Sequence, residues 1–351
     1  MLAANAKADF DLPKPPVSPD ARIWEEIVGP VEPFLREVSE SLLAQVDAFE
    51  PELADYARYA LSSQGKQLRP ALVALSGQAA GALNPDLVTA AVIIEMVHLA
   101  TLVHDDVMDE ATIRRSRPTL ARQCGVSTSI LVGDCLFAHA LTLAAAFPTP
   151  EVCRAVAQAT KVVCTGEILQ NEQRLRVDLS REEYFRVLRM KTAELFALSC
   201  ALGGRLAGAS PREERALREY GMALGTAYQV YDDCVDLFGR EEAEGKSLGV
   251  DAANGKVTLP IIVLIERRGE KARLEVEKML SDWRRERLGS LKALIQEHEG
   301  LEESQRVIEE LCRQAAEALE ALPEAPARKA LGEAAAFLSR RAAALSGAAT
   351  G

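Results

Sequence analysis

The sequence predicts an all-α protein, and three observations predict it. Apolar residues recur at the helical period from Ile23 to Leu345. No run of alternating apolar and polar residues marks a strand. Alanine and leucine abound while aromatic residues make up only 5%, which favours helix. With 351 residues, 48% hydrophobic and 26% charged, the composition is that of a soluble globular protein. No Pro/Gly/Ser-rich linker divides the middle, so residues 23–347 are expected to form a single all-α domain.

The elements follow in order. Residues 1–22, with prolines at 13, 15, 16 and 19, are expected to be a disordered arm. The arm carries Asp9 and Asp11 and no apolar segment, so it reads as neither a secretory signal nor a transit peptide. Helices are expected at about 23–47, 51–63, 68–82, 86–109 and 127–147. Thr149-Pro150 opens a helix over about 150–175. Capping boxes at Ser180/Glu183 and Ser210/Glu213 open helices over about 181–207 and 211–238. Further helices are expected at about 257–267, 270–281, 286–298, 301–321 and 325–346. The apolar stretches 87–103 and 130–147 contain Glu95, His98, Asp134 and His139, and are read as buried helices with no membrane span.

The net charge of −11 argues against nucleic acid and against a polybasic membrane patch. Seven cysteines form no C-x-x-C pair and are read as reduced, buried thiols of a cytoplasmic protein.

Two copies of one acidic signature stand out. Asp105-Asp106-Val107-Met108-Asp109 and Asp232-Asp233-Cys234-Val235-Asp236 lie 127 residues apart (232 − 105). Within each box the first and last Asp are four apart and share a helix face. Like charges at that spacing repel, and burying unpaired carboxylates costs more. A chain that does both twice is expected to gather divalent cations there. Carboxylates are hard ligands suited to Mg²⁺, which typically bridges one or two of them to substrate phosphates. Two facing boxes would therefore hold a diphosphate across a central cleft.

Basic residues accompany the boxes. Arg114-Arg115 follow the first, Lys191 sits in mid-helix, Lys246 and Lys256 lie in a Gly-rich loop, and Lys66 and Arg69 form an early cluster. Arginine offers a planar fork and lysine a mobile point charge for phosphate oxygens. His98 lies seven residues before Asp105 and shares its face.

Together these segments resemble the trans-prenyltransferases, the all-trans polyprenyl diphosphate synthases. The resemblance covers roughly residues 30–265 and rests on GKQLRP (65–70), EMVHLATLVHDDVMDEATIRR (95–115), LVGD (131–134), GEILQ (166–170), KTAELF (191–196), YQVYDDCVDLFG (228–239), GKSLGVD (245–251) and GKVTLP (255–260). It implies an isoprenoid synthase-type helical bundle around an apolar cavity, usually a homodimer. It implies that Asp105, Asp109 and Asp232 bind several Mg²⁺ ions directly, with Asp106, Asp233 and Asp236 closer to an outer shell. Arg114, Lys191, Lys246 and Lys256 are then the clamp on an allylic diphosphate. Lys66, Arg69, His98 and Arg115 form the pocket for isopentenyl diphosphate, and Thr192 and Gln229 lie near the reacting carbons. The activity implied is head-to-tail condensation of those two substrates. Gln64 and Gln67 depart from the usual Gly-Gly-Lys-Arg start, Tyr228 replaces the usual Phe, and Tyr231 and Cys234 fill spacer positions more often aliphatic.

In such proteins residues upstream of the first box tune product length. Here they are Ile94, Val97, Ala100 and Thr101, none aromatic, so the floor looks open and a product of C20 or longer is expected. Ala100→Phe is expected to shorten it. A terpene cyclase and a regulatory subunit of a heteromeric synthase stand as alternatives. The first would carry a different second metal motif, and the second would have lost residues of the boxes.

Overall fold

The structure is a computed structural model, and it describes residues 19–62, 65–115, 117–241 and 248–348. Helix dominates throughout. The first helix, α1 (Pro19–Val28), begins inside the predicted arm, so residues 19–22 are helical; the rest of that arm lies outside the described residues. Where one helix was expected over 23–47, Pro30 and Pro33 interrupt the ladder. A short 3₁₀ turn separates α1 from α2 (Glu32–Ala44), and another follows α2. α3 (Pro51–Leu61) and α4 (Leu68–Ala80) lead to α5 (Pro85–Met108).

α5 is apolar on nearly all sides, as a helix in the centre of a bundle must be. Its start is fixed by Asn84, whose side chain accepts from the Leu87 amide at 3.2 Å and donates to the Leu206 carbonyl at 3.0 Å. After it comes a hairpin of two-residue strands, β1 (Ile113–Arg114) and β2 (Arg117–Pro118), paired Ile113 to Pro118 and Arg114 to Arg117. The sequence showed no strand because two residues leave no alternation to detect. α6 (Leu120–Cys124), α7 (Val126–Ala145) and α8 (Glu151–Glu172) follow.

The helix expected over 181–207 is interrupted. α9 (Arg181–Leu188) and α10 (Glu194–Leu206) are joined by a π-helical turn, Arg189–Ala193, with Lys191 at its middle. Such turns insert an extra residue without ending the helix, and periodicity barely registers them. α11 (Pro211–Phe238) carries the second acidic box near its C-terminal end. Gly221 and Gly225 let α11 approach the partner backbone: a Cβ at Gly221 would lie 2.6 Å from the Phe196 carbonyl oxygen, and one at Gly225 would lie 2.7 Å from Ala193 Cα. α12 (Val250–Ala253), α13 (Leu259–Arg268), α14 (Glu270–Ser281), α15 (Arg287–Glu297), α16 (Gly300–Ala318) and α17 (Pro326–Ala348) complete the order.

One apolar core runs from Ile27 to Leu345. α5 packs on α7, α4 on α10, α10 on α11 and α11 on α16. Both predicted apolar stretches fall on helices long enough to cross a membrane. In α5, 72% of the most apolar window is buried, as expected; in α7 only 33% is, so the buried reading does not hold there. The thiols also differ from expectation: all seven are free, but only Cys200, Cys234 and Cys312 are buried, and Cys164 is exposed.

Candidate active site

α5, α8, the π turn and α11 enclose a cavity of about 710 Å³. Both acidic boxes open into it, through Asp105 and Asp109 on one wall and Asp232 and Asp233 on the other. Arg69, His98, Arg114 and Arg115 line it, as do Lys191, Thr192, Gln229 and Lys256. Lys66 is exposed and does not border it. Lys246 lies outside the described residues.

The carboxylates have different employments. Asp106 is buried and accepts from Arg114 Nε at 2.6 Å, a contact the hairpin makes by turning the chain back on α5. Asp233 is buried and accepts from Tyr184 Oη at 2.6 Å and from Gln229 Nε2 at 2.9 Å. Asp236 accepts from the amides of Val250 and Asp251, at 3.2 and 3.0 Å, and so fixes the start of α12. Asp105 and Asp109 face cations in the cavity instead. Lys191 Nζ stands 3.8 Å from Asp105, donates to Gln170 Oε1 at 2.9 Å and pairs with Glu167. Asp109 meets Arg174 at 2.8 Å and Lys256 at 3.4 Å.

These contacts set the electrostatics. Burial pushes the Asp105 carboxyl up to about 6, against the pull of Lys191. Burial also raises Asp233 well above the usual carboxylate range, and Asp251 adds to it. His98 is held well below its ordinary value, first by burial and then by Arg69, Arg115 and Arg114, so it stands there neutral. Arg69 lies 5.0 Å over the Phe196 ring, and Tyr228 packs on the same ring with centroids 5.5 Å apart. Glu95, buried below, raises the pKa of Arg69 and Arg115, though burial lowers both on balance. A Cβ at Gly65 would lie 2.6 Å from Arg115, so that glycine leaves room for the guanidinium. Thr192 donates to Gln229 Oε1 at 2.8 Å; with the bond to Asp233, this fixes the amide's orientation.

Several site residues carried no role in the sequence reading. Glu167 and Gln170 occur in a quoted segment, and their i, i+3 spacing puts them on one face of α8. Asp251 closes a quoted segment and lies 3.6 Å from Lys256. Arg174 and Tyr184 gave no signal, because their partners are 65 and 49 residues away in the chain. The floor also differs from expectation. Ile94, Val97 and Ala100 are buried in the core and do not border the cavity; Thr101 and Leu102 do, with Ile130 and Phe137 from α7.

Among the described residues, no three His, Cys, Asp or Glu side chains converge closely enough to hold a metal ion unaided. The donors facing the cavity are hard oxygens from two opposed helices. That fits Mg²⁺, which takes one or two carboxylates and completes its shell with water and phosphate.

A family model described as polyprenyl synthetase matches residues 50–298. The octaprenyl diphosphate synthase of Haemophilus influenzae is 32% identical over 308 residues, covering 88% of this chain and 94% of that protein. The geranylgeranyl diphosphate synthase of Methanosarcina mazei is 36% identical over 221 residues, covering 62% of this chain and 68% of that protein. The polyprenyl synthase of Caulobacter crescentus, crystallised with calcium and isoprenyl diphosphate, superposes with a TM-score of 0.84 at 31% identity, covering 90% of this chain and 97% of that one.

Proposed function

The chain belongs to the polyprenyl synthetase family, and from that premise we propose that it is a prenyltransferase that condenses isopentenyl diphosphate head to tail with an allylic diphosphate, giving an all-trans polyprenyl diphosphate of C20 or longer. One observation carries the reading: two acidic boxes from separate helices open into the same cavity, which Arg69, Arg114, Arg115, Lys191 and Lys256 also line.

Asp105, Asp109 and Asp232 would hold Mg²⁺, with Asp106, Asp233 and Asp236 behind them. Bound there, the metal supplies charge neutralisation and a template for the departing diphosphate. The protein's own groups do the rest. Lys191, Lys256 and Arg114, with Lys246, bind and orient the allylic diphosphate and stabilise the charge that builds on it as the allylic C–O bond ionises. Arg69, Arg115 and Lys66 hold isopentenyl diphosphate, and neutral His98 contributes a hydrogen bond. The fixed amide of Gln229 and the Thr192 hydroxyl present dipoles to the developing carbocation. Leu102, Val163, Val187 and Leu195 keep water from it. The proton lost in the last step passes to the released diphosphate.

Several supports bear on the wider setting. Val126 and Leu131, which do not border the cavity, leave apolar surface on α7 that is 54% and 63% exposed at those residues, which favours a homodimer. Seven free thiols favour a reducing, cytoplasmic setting. A terpene cyclase would not consume isopentenyl diphosphate, and a regulatory subunit would be inactive alone.

Incubating the purified protein with Mg²⁺, labelled isopentenyl diphosphate and a C15 allylic primer tests the reading. Incorporation into products of C20 or longer is expected. No incorporation from that primer or from a C10 primer overturns the function, and incorporation from the C10 primer that arrests at C15 overturns the length. In the same assay Thr101→Phe, which places a ring on the floor, is expected to shorten the products. Ala100→Phe, in the core, is expected to destabilise the fold by about 1–3 kcal/mol and leave product length alone. Chromatography of the dephosphorylated products and thermal melts read the two effects separately.

A further inference from the structure

Both oxygens of Asp109 are already engaged by protein cations. Oδ1 accepts from Arg174 at 2.8 Å and Oδ2 from Lys256 Nζ at 3.4 Å. A metal ion at Asp109 must either share an oxygen with one of them, against the repulsion of a neighbouring like charge, or displace it. Lys256 is the looser partner and is shared with Asp251 at 3.6 Å. Arg174 makes the shorter contact and is the stronger competitor.

Arg174 also has a donor to spare. Its Nε is buried and has no hydrogen-bond partner, an arrangement that costs free energy until an acceptor arrives. A guanidinium with one N–H on a carboxylate and another unsatisfied is suited to a phosphate oxygen. The backbone keeps it at hand: the Leu175 amide donates to the Gly255 carbonyl at 2.7 Å, which ties the turn bearing Arg174 to the turn bearing Lys256.

Resting on the reading of the first box as a metal site, we propose that Arg174 is a positioning residue that competes with the divalent metal for Asp109. Diphosphate decides the competition by drawing the guanidinium fork onto its own oxygens. Metal and diphosphate then bind in a mutually dependent way, and metal alone binds weakly.

The test measures Mn²⁺ binding to the full-length protein by titration calorimetry, with and without inorganic diphosphate, alongside thermal melts. Without diphosphate, Arg174→Met is expected to bind Mn²⁺ on the order of tenfold more tightly than wild type. With saturating diphosphate the gap is expected to close or reverse, because the variant has lost a phosphate ligand. Arg174→Lys, which keeps the charge, is expected to stay near wild type. Arg174→Gln serves equally should the Met variant melt early. Equal Mn²⁺ affinity of variant and wild type without diphosphate overturns the proposal while leaving the proposed function intact. An equal gain in both conditions also overturns it, since that would reflect charge removal alone. No Mn²⁺ binding by any of these proteins, in either condition, overturns the metal reading of the box and the role of Arg174 with it.

Discussion

Changing Asp105 to Asn is expected to lower turnover by about 10²–10³-fold and, at the same time, to raise the melting temperature of the protein by a few degrees. The two effects have one origin. Burial raises this carboxyl to about 6 from an ordinary value of 3.8, although Lys191 opposes the shift. Between those values the folded chain holds a proton that the unfolded chain has lost. Stability therefore falls as pH rises through that window, and above it the folded state carries the full penalty of a desolvated charge. Asn removes the penalty together with the charge that the diphosphate chemistry requires. Melts of the two proteins should differ most at neutral pH and converge as pH approaches 4; a variant less stable than wild type at pH 7.5 would refute the argument.

Gly166→Ala is expected to cost about 10²-fold in kcat/KM with the helices intact. A Cβ there would lie 2.7 Å from the Lys191 backbone nitrogen and 2.8 Å from Met190 Cβ. Neither atom is the end of a flexible side chain, so the π turn must move away from α8. That displaces Lys191 from Glu167, Gln170 and Asp105 together. Misplacing a charged group by about 1 Å is enough for a loss of that size. Circular dichroism should stay helical while steady-state kinetics show the drop. Unchanged kinetics would mean that the turn tolerates the shift.

What was legible in the sequence divides along physical lines. The acidic boxes were legible because repeated carboxylates on apolar helices are costly, and the cost called for an explanation. The capping boxes at Ser180 and Ser210 appear as expected because their partners lie three residues away. The π turn at Lys191 and the hairpin that pairs Ile113–Arg114 with Arg117–Pro118 were not legible, since one extra residue or two paired ones leave no period. Arg174 and Tyr184 were missed because only the fold brings them to their carboxylates. Ala100 and Thr101 were both placed on the cavity wall by resemblance; the structure puts Thr101, four residues before Asp105, there and buries Ala100 in the core. α7 is as apolar as a central helix, yet its sequence could not say which of its faces meets the rest of the chain.

That helix has a consequence for measuring length. Ile130 borders the cavity, and its neighbour Leu131, which does not border it, is 63% exposed. The growing hydrocarbon and whatever covers α7 are thus separated by one helix, about 10 Å across. Should a second copy sit there, its grip would brace the gauge against which each product is cut. Substitutions on the outer side of α7 that loosen that grip would broaden the range of product lengths without touching a substrate.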